Sequence, residues 1–94
     1  MIVQFDWDED KNQECLKLRD FDFNFASRIF EDENLKTEVD DRQDYGEKRC
    51  RVFGKIGEKL YCVIYTDRGE LRRILSARRV HRNSKEEKAY YDNR

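Results

Sequence analysis

Apolar positions in the first third of the chain recur at intervals that predict one short strand and two helices. The β-branched and aromatic segment Ile2–Phe5 predicts a strand. Asp8 stands where it can cap a helix from Glu9 to about Arg19, with acidic residues in the first turn. A second helix is predicted to begin after Asp22. Its apolar residues share one face and are expected in the core: Phe23, Phe25, Ala26, Ile29 and Phe30.

The rest of the chain predicts a loop, three strands and a last helix. Residues 31–47 are acidic and lack periodicity, which indicates a loop. Strands are predicted at 49–53, 60–66 and 71–78, with turns at 54–58 and 67–70. A capping box at Ser84–Glu87 predicts a helix that ends near Asn93. The expected fold is a single α+β domain over residues 1–94, in the order βααβββα, with an antiparallel sheet packed by the helices.

Charge is distributed unevenly along the chain. Residues 1–47 carry a net charge of −9 and residues 48–94 carry +8, although the whole chain has −1. A charged fraction of 44% suggests disorder, but an aromatic fraction of 13% is enough to build a core. The basic half therefore indicates a surface for a polyanion. The alternative is that the two halves pair with each other through surface salt bridges.

Several classes of protein do not fit the sequence. No apolar segment approaches the ~18 residues of a membrane span, and the acidic beginning is unlike a signal peptide. The three cysteines, Cys15, Cys50 and Cys62, have neither zinc-site nor disulfide-framework spacing. We therefore expect reduced thiols in a cytoplasmic protein that binds no metal and no cofactor.

Six arginines lie between residues 68 and 82. Strand alternation predicts that Arg72, Ile74, Ser76 and Arg78 share one face, and that Arg73, Leu75 and Ala77 share the other. Guanidinium groups match phosphate in a planar, bidentate geometry, and tyrosines stack on bases. The candidate RNA-binding residues are Arg51, Arg72, Arg79, Arg82 and Tyr61.

The chain lacks the usual catalytic constellations, since it has one histidine and no Gly-rich phosphate loop. A metal-independent ribonuclease is compatible with this inventory, because the 2′-hydroxyl of RNA supplies the nucleophile. The protein then has to hold the backbone in line and neutralise charge on the scissile phosphate. Arginines suit that role, although they stay protonated and make poor bases.

Four segments, in order, resemble the BrnT family of type II toxins, which are relatives of RelE-like ribonucleases. Residues 5–11 resemble the family's F-x-W-D-x-x-K, and residues 23–32 resemble its F-x-x-A-x-x-V-F-x-D. Residues 46–49 match G-E-x-R, and residues 65–78 resemble Y-T-x-R followed by R-I-I-S-A-R. The family usually has K-H-G between its helices, whereas this chain has Leu18-Arg19-Asp20 and so lacks that histidine.

The resemblance implies a RelE-like fold and RNA cleavage that halts translation. It also implies neutralisation by a BrnA-type antitoxin, and binding of operator DNA only through the toxin–antitoxin complex. By position, Arg49, Arg73 and Arg78 are the candidate catalytic residues; Glu47, Tyr65 and Ser76 are candidates for orientation or proton transfer. Two alternatives stay open: a non-catalytic module that binds nucleic acid or antitoxin, and a charged domain whose arginines only pair internally.

Overall fold

The computed structural model describes residues 4–42 and 44–92. It is an α+β fold with one five-stranded mixed sheet in the order β1-β5-β4-β3-β2. The strands are β1 (Gln4–Trp7), β2 (Lys36–Val39), β3 (Cys50–Ile56), β4 (Lys59–Arg68) and β5 (Leu71–Arg79). The helices are α1 (Glu9–Arg19), α2 (Phe23–Ala26) and α3 (Lys85–Asp92), and a 3₁₀ turn follows α2 at Ser27–Glu31.

Local capping fixes both N-terminal helices where the sequence predicts them. The Asp8 side chain accepts hydrogen bonds from the backbone of Asp10 and Lys11, at the start of α1. The Asp22 side chain accepts from the backbone N–H of Phe25, 2.8 Å away. The predicted second helix is correct in position but consists of one α-turn and a 3₁₀ turn. Of the predicted first strand, residues 2 and 3 lie outside the described residues.

Two predictions about the sheet are wrong. Residues 36–39 form β2, where a continuous loop is predicted, and they pair antiparallel with β3. The sheet is mixed because β1 runs parallel to β5, whereas a fully antiparallel sheet is predicted. Strand β2 lies at the sheet edge, so three of its four residues are exposed and it has no apolar alternation to reveal it.

The first hairpin turn is shorter than predicted, because β3 continues through Gly54 to Ile56. The turn itself is formed around Gly57, which has a φ of 66°. Gly54 is required by packing: a Cβ there would lie 2.7 Å from Ile29 Cγ1 and 2.9 Å from Leu35 Cδ1. Strand β3 therefore comes close to the 3₁₀ turn at Gly54, where the absence of a side chain leaves room for Ile29.

The sheet has two covered faces. The N-terminal helix face packs under α1, α2 and the 3₁₀ turn, and its centre includes Val52, Val63 and Ile74. The opposite α3 face carries a smaller cluster of Phe53, Leu60, Cys62, Val80 and Tyr90. The Tyr90 hydroxyl donates to Asp32, 2.5 Å away, and so ties α3 to the far end of the 3₁₀ turn. Among the described residues, no helix has the length and apolarity to cross a membrane.

A β-bulge in β5 overturns the predicted division of its side chains. Ser76 pairs with Ile64 and Ile74 pairs with Tyr65, so Leu75 has no partner in the ladder. This extra residue shifts the alternation by one position. Ile74 and Ala77 are consequently both buried on the N-terminal helix face. Arg72 faces that side too, while Arg73, Ser76 and Arg78 share the α3 face.

Candidate nucleic-acid interface

The α3 face gathers four arginines and one serine, which we call the arginine cluster: Arg49, Arg51, Arg73, Ser76 and Arg78. Arg51 is directly opposite Ile64, and Ile64 is in turn opposite Ser76, so these three form one row across the sheet. Adjacent strands are about 4.8 Å apart, so the ends of this row are roughly 10 Å apart. Arg73 lies opposite Thr66 and Arg78 opposite Cys62, in the rows on either side.

Arg49 joins the cluster from just before β3. The backbone N–H of Asp40 donates to its carbonyl oxygen at 2.8 Å, which continues the β2–β3 ladder by one residue. Alternation then directs Arg49 to the same face as Arg51. Among described residues, the Nε of Arg49 is the one buried side-chain polar atom with no hydrogen-bond partner. Its guanidinium lies 4.0 Å from the ring centroid of Tyr45 and 3.7 Å from the Glu47 carboxylate.

Carboxylates neutralise the other arginines of the cluster. Arg73 pairs with Asp6 at 2.5 Å, and Arg78 pairs with Glu86 of α3 at 2.7 Å. Arg51 donates through its Nε to Glu38 at 2.8 Å. Asp6, Glu38 and Glu47 belong to the acidic first half, so the alternative of pairing between halves is confirmed for these contacts.

Pairing leaves the guanidinium groups accessible. The side chains of Arg49, Arg51, Arg73 and Arg78 keep between 23% and 39% of their surface exposed. A phosphate that approaches this face meets donors already oriented by carboxylates, and it competes with those carboxylates for the N–H groups they accept from. The arrangement can therefore bind a polyanion, at the expense of existing ion pairs.

Two acids at the border of the cluster are held ionised. The hydrogen bond from Arg78 lowers the pKa of Glu86 below its usual value, and Arg51 acts in the same direction. Asp40 is buried, and the hydrogen bond from Arg42 lowers the pKa of its carboxyl.

Beneath the arginine cluster, burial raises the pKa of the Cys62 thiol to about 11, so this thiol is a packing group rather than a nucleophile.

Four sequence-predicted site residues are not brought to the cluster. Arg72 lies on the N-terminal helix face, where it pairs with Asp67 at 2.8 Å and stacks 4.4 Å from the Tyr65 ring centroid. Tyr65 is buried in that same core, where its ring also contacts Phe30, and burial raises the pKa of its phenol. Tyr61 and Arg79 pair across β4 and β5 on this face.

The two remaining candidates lie at the margins of the sheet. Arg82 is exposed in the connection from β5 to α3. Glu47 lies before β3 and accepts hydrogen bonds from Arg68, the nearer at 3.1 Å. It is thus shared between Arg68 and Arg49, which places it beside the cluster.

Sequence reasoning missed the acids that organise the cluster, above all Asp6, Glu38 and Glu86. Asp6 is 67 residues from Arg73, so no local pattern could have joined them. Glu86 offered a signal, because it stands within the capping box that follows the arginine-rich strand. In residues 4–42 and 44–92, no group of three or more His, Cys, Asp or Glu side chains is arranged to hold a metal ion.

The sequence profile of a known family, described as the ribonuclease toxin BrnT of type II toxin–antitoxin systems, matches residues 7–84. No curated protein compared with the chain matches it. The family match runs from the end of β1 to the connection before α3, and so includes every residue of the arginine cluster. The chain therefore belongs to the BrnT family of ribonuclease toxins of type II toxin–antitoxin systems.

Proposed function

We propose that this toxin is a metal-independent endoribonuclease whose arginine cluster binds the scissile phosphate. The observation that carries the proposal is the convergence of Arg49, Arg73 and Arg78 with Ser76 on the α3 face of the sheet, where their side chains stay partly exposed. All four positions follow from the family motifs, and the bulge at Leu75 puts Arg73 on the same face as Ser76 and Arg78. The match to ribonuclease toxins supports RNA as the substrate.

Charge stabilisation is the main contribution that these residues can make. In the proposed reaction the 2′-hydroxyl loses its proton and attacks the adjacent phosphorus, and negative charge develops on the non-bridging oxygens. The bond from phosphorus to the 5′-oxygen of the next nucleotide breaks, which leaves a 2′,3′-cyclic phosphate and a 5′-hydroxyl that has taken up a proton. Permanently protonated guanidinium groups stabilise that charge without proton transfer. The Nε of Arg49 is buried without a hydrogen-bond acceptor, so Glu47 does not fully satisfy this guanidinium. We assign orientation or proton transfer to Glu47 and Ser76, which flank the arginines.

The proposed partners follow from the type II toxin family. An antitoxin, which we propose to be of the BrnA type, neutralises the toxin in the cytoplasm. Operator DNA is bound by the complex and not by this chain alone. Arginines that lie on strands rather than on an exposed helix support this last point, because none of the helices in the described residues has a basic face for the major groove.

The test is cleavage of a defined RNA by the purified protein. We expect cleavage to continue in excess chelator, and to stop when a single deoxynucleotide replaces the nucleotide on the 5′ side of the cut. A requirement for Mg²⁺, or cleavage of the deoxy substrate, contradicts the mechanism. Binding without cleavage, in a protein that also fails to arrest growth when expressed, supports the alternative of a non-catalytic module.

A further inference from the structure

A groove of about 470 Å³ lies on the N-terminal helix face, on the opposite side of the sheet from the arginine cluster. Its apolar wall consists of Phe21, Phe25 and Tyr61, whose rings contact each other at centroid distances of 5.2 to 5.8 Å. The exposed edge of Leu16 extends this wall. We call it the aromatic groove; none of the proposed catalytic residues lines it.

Three cations line the aromatic groove: Arg19 at the end of α1, Lys59 at the start of β4 and Arg79 at the end of β5. Among the described residues, none of the three forms an ion pair, in contrast to the arginines on the α3 face. Two acids also line the groove. Asp22 uses its carboxylate to cap α2, and Asp20 is exposed at the end of α1.

The aromatic groove is connected to the arginine cluster around one edge of β5. Strand β1 pairs with β5 only as far as Ile74, so the second half of β5 has no strand on that side. A second groove of about 190 Å³ lies there between α1 and β5, and it includes Lys11, Arg19 and Ser76. Glu14 also lines this second groove, which shares Ser76 with the arginine cluster and Arg19 with the aromatic groove and so lies between the two sites.

We infer that the aromatic groove is a second RNA subsite, which holds nucleotides of the substrate strand outside the cut, between Phe21, Arg19 and Arg79. This inference rests on the proposed function, because it extends the strand bound at the arginine cluster. Aromatic side chains with neighbouring guanidinium groups form the combination that binds single-stranded nucleic acid without sequence preference. Continuity through Ser76 favours the same RNA strand over a separate acidic peptide.

The test measures binding separately from cleavage. The probes are fluorescent 2′-O-methyl oligouridylates of about 4 and about 16 nucleotides, lengths that span the usual site sizes of small single-strand-binding domains. The 2′-O-methyl group blocks cleavage, so the affinity is measured in the same way whether or not the chain is a nuclease. The variants are Arg19→Gln with Arg79→Gln, and separately Phe21→Leu. The control is Lys17→Gln with Lys88→Gln, two exposed cations that line neither groove.

We expect the Arg19→Gln, Arg79→Gln protein to bind the long oligonucleotide about tenfold more weakly, with a shallower salt dependence by roughly 0.7 in slope per lost phosphate contact. Phe21→Leu is expected to weaken the long probe on the order of fivefold, since stacking on one base is reduced. The short probe, held at the arginine cluster, and the control variant should show unchanged affinity. Thermal unfolding verifies that each variant is folded.

Four outcomes would overturn the inference: unchanged affinity for the long probe, an equal loss for both probes, an equal loss in the control, or loss of antitoxin binding alone. The last would assign the groove to a protein partner. Crosslinking of a 4-thiouridine version of the long probe gives an independent readout, with adducts expected within residues 19–25. Absence of cleavage, with these binding results intact, would contradict only the proposed function.

Discussion

Arg78 and Glu86 form an ion pair that joins β5 to α3, with Nη2 2.7 Å from Oε2. Both side chains are more than one-third exposed, so water screens the pair and its contribution to stability is small. Its larger consequence concerns function. Glu86 accepts a hydrogen bond from the guanidinium of a candidate catalytic residue, and it therefore competes with a phosphate for Nη2 of Arg78.

Replacing Glu86 with glutamine is expected to strengthen RNA binding about two- to fivefold, because Arg78 then has no anionic competitor. The measurement is fluorescence anisotropy with a non-cleavable 2′-O-methyl oligonucleotide at fixed salt. Glu58→Gln is the matched control, since it makes the same charge change at an exposed position in the β3–β4 turn. Equal gains in both variants would mean that only net charge matters and that the pair does not gate Arg78.

Acid should weaken the attachment of α3. The pKa of Glu86 is lowered in the folded chain by Arg78, so this carboxylate contributes stability above its unfolded pKa of about 4.3 and loses it as the pH falls through the lower, folded value. We expect the free energy of unfolding to decrease below about pH 4. In Glu86→Gln the decrease should be smaller, as measured by urea titrations at several pH values. An identical pH profile in both proteins would contradict this linkage.

Neighbouring arginines on β5 are expected to behave differently, because they face opposite sides of the sheet. Arg73→Gln removes a cation of the arginine cluster and should reduce the single-turnover cleavage rate about 10²- to 10³-fold, the usual cost of losing a group that stabilises transition-state charge. Arg72→Gln removes a group stacked on Tyr65, so it should lower thermal stability but change cleavage less than about tenfold. The reverse pattern would place the site on the N-terminal helix face.

The sequence predicts those helices and strands that are determined by interactions between neighbouring residues. The boundaries of α1 are correct because an aspartate caps its beginning and the caps act through neighbouring residues. Strand β2 could not be predicted, since pairing with β3 decides its conformation and its own side chains are mostly exposed. The bulge at Leu75 likewise depends on how Ile74 and Ala77 pack beneath the helices, and alternation alone cannot locate it.

The candidate site was predictable by residue type but not by arrangement. An excess of arginine in the second half indicates an anion-binding surface, and the family motifs select Arg49, Arg73 and Arg78. Which arginines lie together depends on which side of the sheet each β5 side chain faces, and the alternation of sides shifts by one residue at the bulge. Their carboxylate partners depend on tertiary contacts across as many as 67 residues. Charge composition therefore predicts that an anion-binding surface exists, while the fold determines which residues form it.

The end of α1 places an aspartate in a backbone conformation that favours glycine, and we expect this residue to lower the stability of the chain. Asp20 has a φ of 65°, in the left-handed region that glycine adopts without steric cost. Its backbone N–H donates to the Leu16 carbonyl at 3.0 Å, which closes the helix. Its carboxylate also lies at the negative end of the helix dipole, which is unfavourable for an anion. Backbone strain and charge thus act in the same direction.

Two substitutions separate these effects. Asp20→Asn keeps the side-chain size and tolerance for a positive φ but removes the charge, and should stabilise the protein by about 0.3–1 kcal/mol. Asp20→Gly also relieves the backbone strain, and although glycine costs entropy in the unfolded chain, we expect it to equal or exceed the asparagine variant, with a total near 1 kcal/mol. That gain corresponds to a rise of roughly 4–8 °C in Tm for a domain of this size.

Calorimetry at low and high salt completes the comparison. The gain from Asp20→Asn should shrink in high salt because the charge is exposed, whereas the additional gain of Asp20→Gly should persist because it comes from the backbone. Destabilisation by Asp20→Asn would show instead that the carboxylate is attracted to the cations of the aromatic groove, Arg19, Lys59 and Arg79. That result would make Asp20 a competitor for RNA at the second subsite, in the way that Glu86 competes at the arginine cluster.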